Sequence, residues 1–195
     1  MLLIPATAQE WEALWAPYDE PTYAAVLAAI RPDDVVLEIG AGDLRLARRL
    51  AGVAWRVIAW ERQTAVLPPA SYPLPPNLIV QTVDARYAPM PKKVTTAVLL
   101  MRHCQHFHFY IDKLRAAGCD RLITNARWGM GVETIHLRLP RMLYRAAPMG
   151  WYACWCGAVG FKPGPVERYT AEMETAVYEV IDCPVCHQTN TRYNN

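Results

Sequence analysis

The chain has 195 residues, a net charge of +2, and 53% hydrophobic against 19% charged residues. That balance excludes a disordered chain, and no apolar run approaches the ~20 residues of a membrane span. The length suits one domain with at most a small appendage, and so weak a charge leaves attraction to nucleic acid to a local basic patch.

The opening "MLLIPATAQEWEALW" lacks a basic n-region and its apolar run is too short for a signal peptide, so the expected location is cytoplasmic. Helical patterns follow at Ala8 to Trp15 and Thr22 to Ile30, with Pro21 suited to the first turn of the second. "VVLEI" is predicted as the first strand and "DLRLARRLA" as a helix, then "WRVIAWE" as the second strand. The proline-rich "LPPASYPLPP" allows only a short or irregular crossover. "NLIVQTVD" and "VTTAVLLM" read as the third and fourth strands, "FYIDKLRAAG" as a helix closed by Gly118, and "RLITNA" as the fifth strand. This alternation predicts an α/β fold, a Rossmann-like mostly parallel sheet with helices on both faces. Beyond Ala126 the rhythm changes. "VETIHLRL" fits a strand or a helix, and "GWYACWCGAVGF" and "TAVYEVIDC" fit two strands of an antiparallel hairpin with a long polar connection.

The turn after the first strand, "LEIGAGDLRLARRL", departs from a dinucleotide fingerprint in two ways. Arg45 stands where G-x-G-x-x-G/A wants a small residue, and Glu38 would repel a pyrophosphate. A carboxylate there suits a ligand with positive charge. The stretch resembles the first motif of class I S-adenosylmethionine-dependent methyltransferases, an acid followed by glycine, any residue and glycine, although Leu44 replaces a frequent third glycine. The resemblance spans roughly Asp33 to Ala126. It implies that Glu38, Gly40, Ala41 and Gly42 cradle the cofactor and that Glu61 takes the ribose hydroxyls. Asp84 meets the adenine amino group, and Ala85 and Met101 complete the lining.

In that family the methyl acceptor is met by the loop after the fourth strand, here "LLMRHCQHFHFY", which lacks the Asn/Asp-Pro-Pro-aromatic motif of many amino-group methyltransferases. Cys104 lacks the proline context of the cytosine-C5 nucleophile. His103 is the candidate proton acceptor, against a plainer reading in which His103, His106 and His108 cap and solvate a helix start. Tyr18 and Tyr23 are candidates to wall the adenosine or to pack, and Asn125 and Arg127 to face the acceptor.

Four of the six cysteines form two close pairs: Cys154 and Cys156, two apart on a strand pattern, and Cys183 and Cys186 in a C-x-x-C knuckle. If the two strands meet, the four thiols make a closed tetrahedral site for a structural zinc resembling a zinc ribbon, with His187 as a substitute ligand. The expected organisation is a cofactor-binding domain over 1–148 with an N-terminal helical cap, and a zinc-ribbon-like hairpin over 149–195. That hairpin is either an appended ribbon or the antiparallel end of the main sheet. Trp151, Tyr152, Trp155, Lys162 and Arg168 could grip RNA, the leading acceptor, with a protein side chain or a small metabolite also open, or the aromatics could simply pack onto the main domain. The alternative to a methyltransferase is a non-catalytic module that binds the cofactor or a partner through its zinc hairpin.

Overall fold

A computed structural model describes residues 7, 9–10, 20–102, 104–128 and 131–189. Most of the first expected helix lies outside the described residues. The next, α1 (Glu20–Ala28), carries Pro21 in its first turn and buries Tyr23 and Val26. Then follow β1 (Val35–Ile39), α2 (Arg45–Ala51), β2 (Arg56–Glu61), β3 (Leu78–Thr82), β4 (Thr96–Leu99), α3 (Phe107–Ala116), β5 (Arg121–Thr124) and β6 (Glu133–His136). The prolines between β2 and β3 leave only a 3-10 turn at Thr64–Val66.

These six strands form one sheet in the order β3-β2-β1-β4-β5-β6. All neighbours run parallel except β6, which pairs antiparallel with β5, so "VETIHLRL" is a strand. This is the order of a Rossmann-like sheet, and its direction of winding reverses between β1 and β4, where such sheets hold ligands.

The strands are apolar on both faces because both are covered. Leu37, Ile39, Ala97, Leu99 and Leu122 pack with Phe107, Ile111 and Leu114 of α3 on one face. Val36, Val57, Val98 and Ile123 pack with α1 and with Leu46, Ala47 and Leu50 of α2 on the other. The alternation Leu37/Val36 and Leu122/Ile123 is the period of two that sends successive side chains to opposite faces.

Residues from Met142 onward build a second sheet. It contains β7 (Met142–Leu143), β8 (Gly150–Cys154), β9 (Val159–Lys162) and β10 (Val177–Ile181), in the order β7-β10-β8-β9, followed by α4 (Pro184–Thr189). Two expectations are corrected here. The antiparallel partner of β8 is β9, so "GWYACWCGAVGF" is itself a hairpin, turned at Gly157 with φ 97°. "TAVYEVIDC" supplies β10, which lies parallel to β8 rather than antiparallel. The long polar connection is thus a crossover, the form that parallel neighbours require. The sheet also recruits β7, ahead of the expected boundary at 149, and none of its strands joins the main sheet.

One buried side chain ties the sheets together. Arg127, just past β5, has no exposed side-chain surface and pairs with both Glu133 of β6 and Glu179 of β10, each at 2.5 Å. The guanidinium fork donates two bonds to each carboxylate, so its planar geometry is fully used.

Candidate active site and metal centre

The carboxyl end of β1 turns sharply because Gly40 and Gly42 adopt φ of 78° and 55°. Gly40 and Ala41 both donate their N–H to Trp60 O, at 2.8 and 3.0 Å, which folds the turn across β2. Leu44, in the place of the frequent third glycine, takes the same left-handed conformation at φ 69°. It is 1% exposed in the core with Leu46 and Leu50, and burial of that side chain offsets the strain.

The three acids expected at strand ends are all there, and each is held differently. Glu61 accepts Gly42 N–H on one oxygen at 2.9 Å and Arg62 and Gln63 N–H on the other at 2.8 Å. It therefore shapes the glycine turn as well as facing it. Asp84, after β3, is clamped by the Arg86 guanidinium at 2.6 Å, which holds its pKa down at about 2. The loop beyond is fixed by Lys113 of α3, whose ammonium donates to the carbonyls of Ala85, Arg86 and Ala88. Ala85 is buried beside it.

Glu38 is the exception. It is 5% exposed, and its Oε2 has no hydrogen-bond partner among the described residues. Burial, then the charges of Asp43 and Glu61, push its pKa well above the ordinary carboxylate value. A buried carboxylate oxygen without a donor makes the charged form costly and calls for a cation or a donor from a ligand.

Met101, after β4, lies over Gly40, where a Cβ would collide with its methyl carbon. Tyr23 packs into the same cluster as Ala41 and Leu44, with Arg49 over its ring at 4.9 Å. Burial raises its phenol pKa to about 12, so it acts here as a packing aromatic. Tyr18 and His103 lie outside the described residues. His108 is on the solvent side of α3, paired with Asp112 at 3.2 Å. Burial pushes the Cys104 thiol up, which disfavours the thiolate a nucleophile needs. Asn125 is 2% exposed with an unpartnered Oδ1, next to Thr124, whose hydroxyl bonds Leu99 O at 2.7 Å and so joins the ends of β4 and β5.

The four clustered cysteines converge. Their sulfurs lie within 4.8 Å of one another, with Cys154–Cys186 at 3.6 Å, Cys156–Cys183 at 3.5 Å and Cys183–Cys186 at 3.7 Å. All are free thiols. Sulfurs on a tetrahedral ion with bonds of about 2.3 Å stand about 3.8 Å apart, so this spacing suits zinc. The local structure differs from the expectation of one strand face: Cys154 ends β8, but Cys156 sits in the turn to β9. Cys183 directly precedes α4 and Cys186 lies in its first turn, with Cys186 N–H bonded to Cys183 O. His187 belongs to α4, and its side chain lies outside what is described.

A cavity of about 190 Å³ adjoins the thiols, lined also by His108, Asp112, Arg141 and Trp155. Trp155 is 3% exposed, with the guanidinium of Arg141 3.4 Å and that of Arg115 4.6 Å from its ring. It and the buried Tyr152 are therefore core residues and not the stacking surfaces expected. Lys162 donates to the carbonyls of Tyr144, Arg145 and Ala147, which occupies the charge assigned to phosphate. Arg127, Arg141 and Arg115 are organising residues whose partners no sequence pattern reveals, since each is hydrophilic yet packed by tertiary contact.

No family model matches this chain, and no curated protein does. Among solved structures it is similar to precorrin 8w decarboxylase from Methanobacterium thermoautotrophicum, with 20% identity and a TM-score of 0.45 over 55% of this chain and 63% of that one. A dimethyladenosine transferase from Plasmodium falciparum shows 21% identity and a TM-score of 0.46 over 54% and 41%. The 23S rRNA methyltransferase ErmE shows 24% identity and a TM-score of 0.42 over 55% and 46%. The chain thus spans less than two thirds of each. No helix among the described residues is long and apolar enough to cross a membrane.

Proposed function

We propose that this chain is an S-adenosylmethionine-dependent methyltransferase with a structural zinc in its second sheet. The observation that carries the reading is Glu38, a buried carboxylate with an unsatisfied oxygen at the end of β1, beside a glycine turn that lets the backbone approach a ligand. The residues fit the group: Glu38 takes the ammonium, which favours its charged form, and Glu61 offers its remaining lone pairs to the ribose hydroxyls. Asp84, oriented by Arg86, accepts from the adenine amino group. Gly40, Ala41, Gly42, Ala85 and Met101 line the space between. When bound, the cofactor supplies an electrophilic methyl group on sulfur. The chain's part is then to position the acceptor and exclude water, with His103 as the proton acceptor and Asn125 Oδ1 as a hydrogen-bond acceptor for an incoming N–H or O–H.

Calorimetric titration of the zinc-replete protein with S-adenosylhomocysteine, with NAD as control, tests this. Micromolar binding of the first alone is expected, weakened at least tenfold in Glu61→Gln. No binding by folded protein overturns the reading, and binding without methyl transfer to any extract favours the non-catalytic module.

A further inference from the structure

From the carboxyl end of β5 a row of four aromatic rings leads outward over the second sheet. Trp128 meets Trp151 at 6.0 Å, Trp151 meets Phe161 at 5.4 Å, and Phe161 meets Tyr169 at 6.5 Å. Trp151 and Phe161 are paired residues on neighbouring strands, and Val177, the partner of Trp151 on β10, is 46% exposed on the same face. Tyr169 is 45% exposed, and the other three rings are half-buried.

The unbalanced charges beside the outer end of the row are mostly negative. Trp128 donates to Glu133, whose charge Arg127 balances, and Tyr169 donates to Glu174. Glu167 and Glu172 are exposed on the adjoining segment, which carries Arg168 as its basic residue. Lys162, next in sequence to Phe161, is turned away to the carbonyls of residues 144, 145 and 147. Ring faces and carboxylates both favour cations, and carboxylates repel phosphate. The ring spacing also approaches the ~6.7 Å between same-side residues of an extended chain.

We propose that this row is a docking track for an extended peptide segment bearing lysine or arginine, which delivers a protein acceptor to the cleft. The inference deepens the methyl-transfer reading by naming the acceptor class, and it rests on that reading for the delivery but not for the binding. Tyr169, Glu172 and Glu174 grip the far end of the segment, and Trp151 and Phe161 its middle.

The test is fluorescence anisotropy with the full, metal-replete chain and no cofactor. The probes are a labelled twelve-residue peptide of alternating lysine and alanine and a labelled twelve-nucleotide oligouridylate. The expected result is salt-sensitive binding of the peptide in preference to the oligouridylate. Affinity should fall at least fivefold in Tyr169→Leu and in Glu172→Gln/Glu174→Gln, with unchanged melting because these side chains are exposed. Tighter binding of oligouridylate, no binding of the peptide, or peptide affinity unchanged in the folded variants overturns the proposal. Because no cofactor is present, its failure leaves the S-adenosylhomocysteine titration untouched, and the reverse holds.

Discussion

A carboxyl group with a buried oxygen that no donor meets keeps its proton to higher pH than usual, and that makes Glu38 a pH-dependent element of the cleft. Its folded pKa lies above the ordinary 4.5, so the folded chain retains a proton the unfolded chain gives up. Stability therefore falls as pH rises from about 4.5 through the raised value and levels beyond it. Glu38→Gln removes this loss: it should be more stable than the parent above that window, with a flatter profile in urea melts between pH 4 and 8. A cationic ligand acts the other way, since it binds the ionised acid and expels the proton. Affinity for S-adenosylhomocysteine should climb with pH across the same window, and Glu38→Gln should bind more weakly and without that slope. At this scale much was legible. The acid, the two glycines and the later acids stood in the sequence at strand ends, and all are found there. That Glu61 spends three bonds on the turn, or that Leu44 could replace a glycine by being buried, depends on neighbours distant in sequence.

Strand pairing marks where legibility stopped. A period of two places side chains on faces but names neither a strand's partner nor its direction, so β1 to β5 were readable from the βαβ rhythm while β8 and β10 were not. Those two strands are parallel, with β9 inserted as the hairpin partner. The main link between the sheets was equally hidden: Arg127 reads as a candidate to face the acceptor, and only the structure shows it buried between Glu133 and Glu179. Replacing Arg127 with methionine keeps much of the volume and leaves two carboxylates close together with no cation. The expected loss is about 3 kcal/mol, less to the extent that water reaches Glu179, read from urea unfolding. The double variant Arg127→Met/Glu179→Gln should recover part of it.

For the molecule as a whole, the second sheet has a small core of its own, chiefly Ala147, Tyr152, Cys154, Val180 and Cys183, and two of these are thiols of the cluster. A fold with so little apolar interior gains stability from an ion held on the four thiols, as the zinc reading requires. Chelation should release one zinc per chain, lower the melting temperature by about 10 °C or more, and make four further thiols reactive toward a disulfide reagent. Cys119 should stay silent throughout, being 1% exposed with its pKa raised to about 11 by burial. The thiol cluster is also not isolated from the cleft. Glu179 lies four residues before Cys183 and grips the arginine that follows Asn125 at the end of β5. The two sites therefore share one strut, and thermodynamic reciprocity applies to them. If a cleft ligand tightens the strut and so strengthens the hold of the thiols on a metal, a metal there must strengthen the hold on that ligand by the same factor.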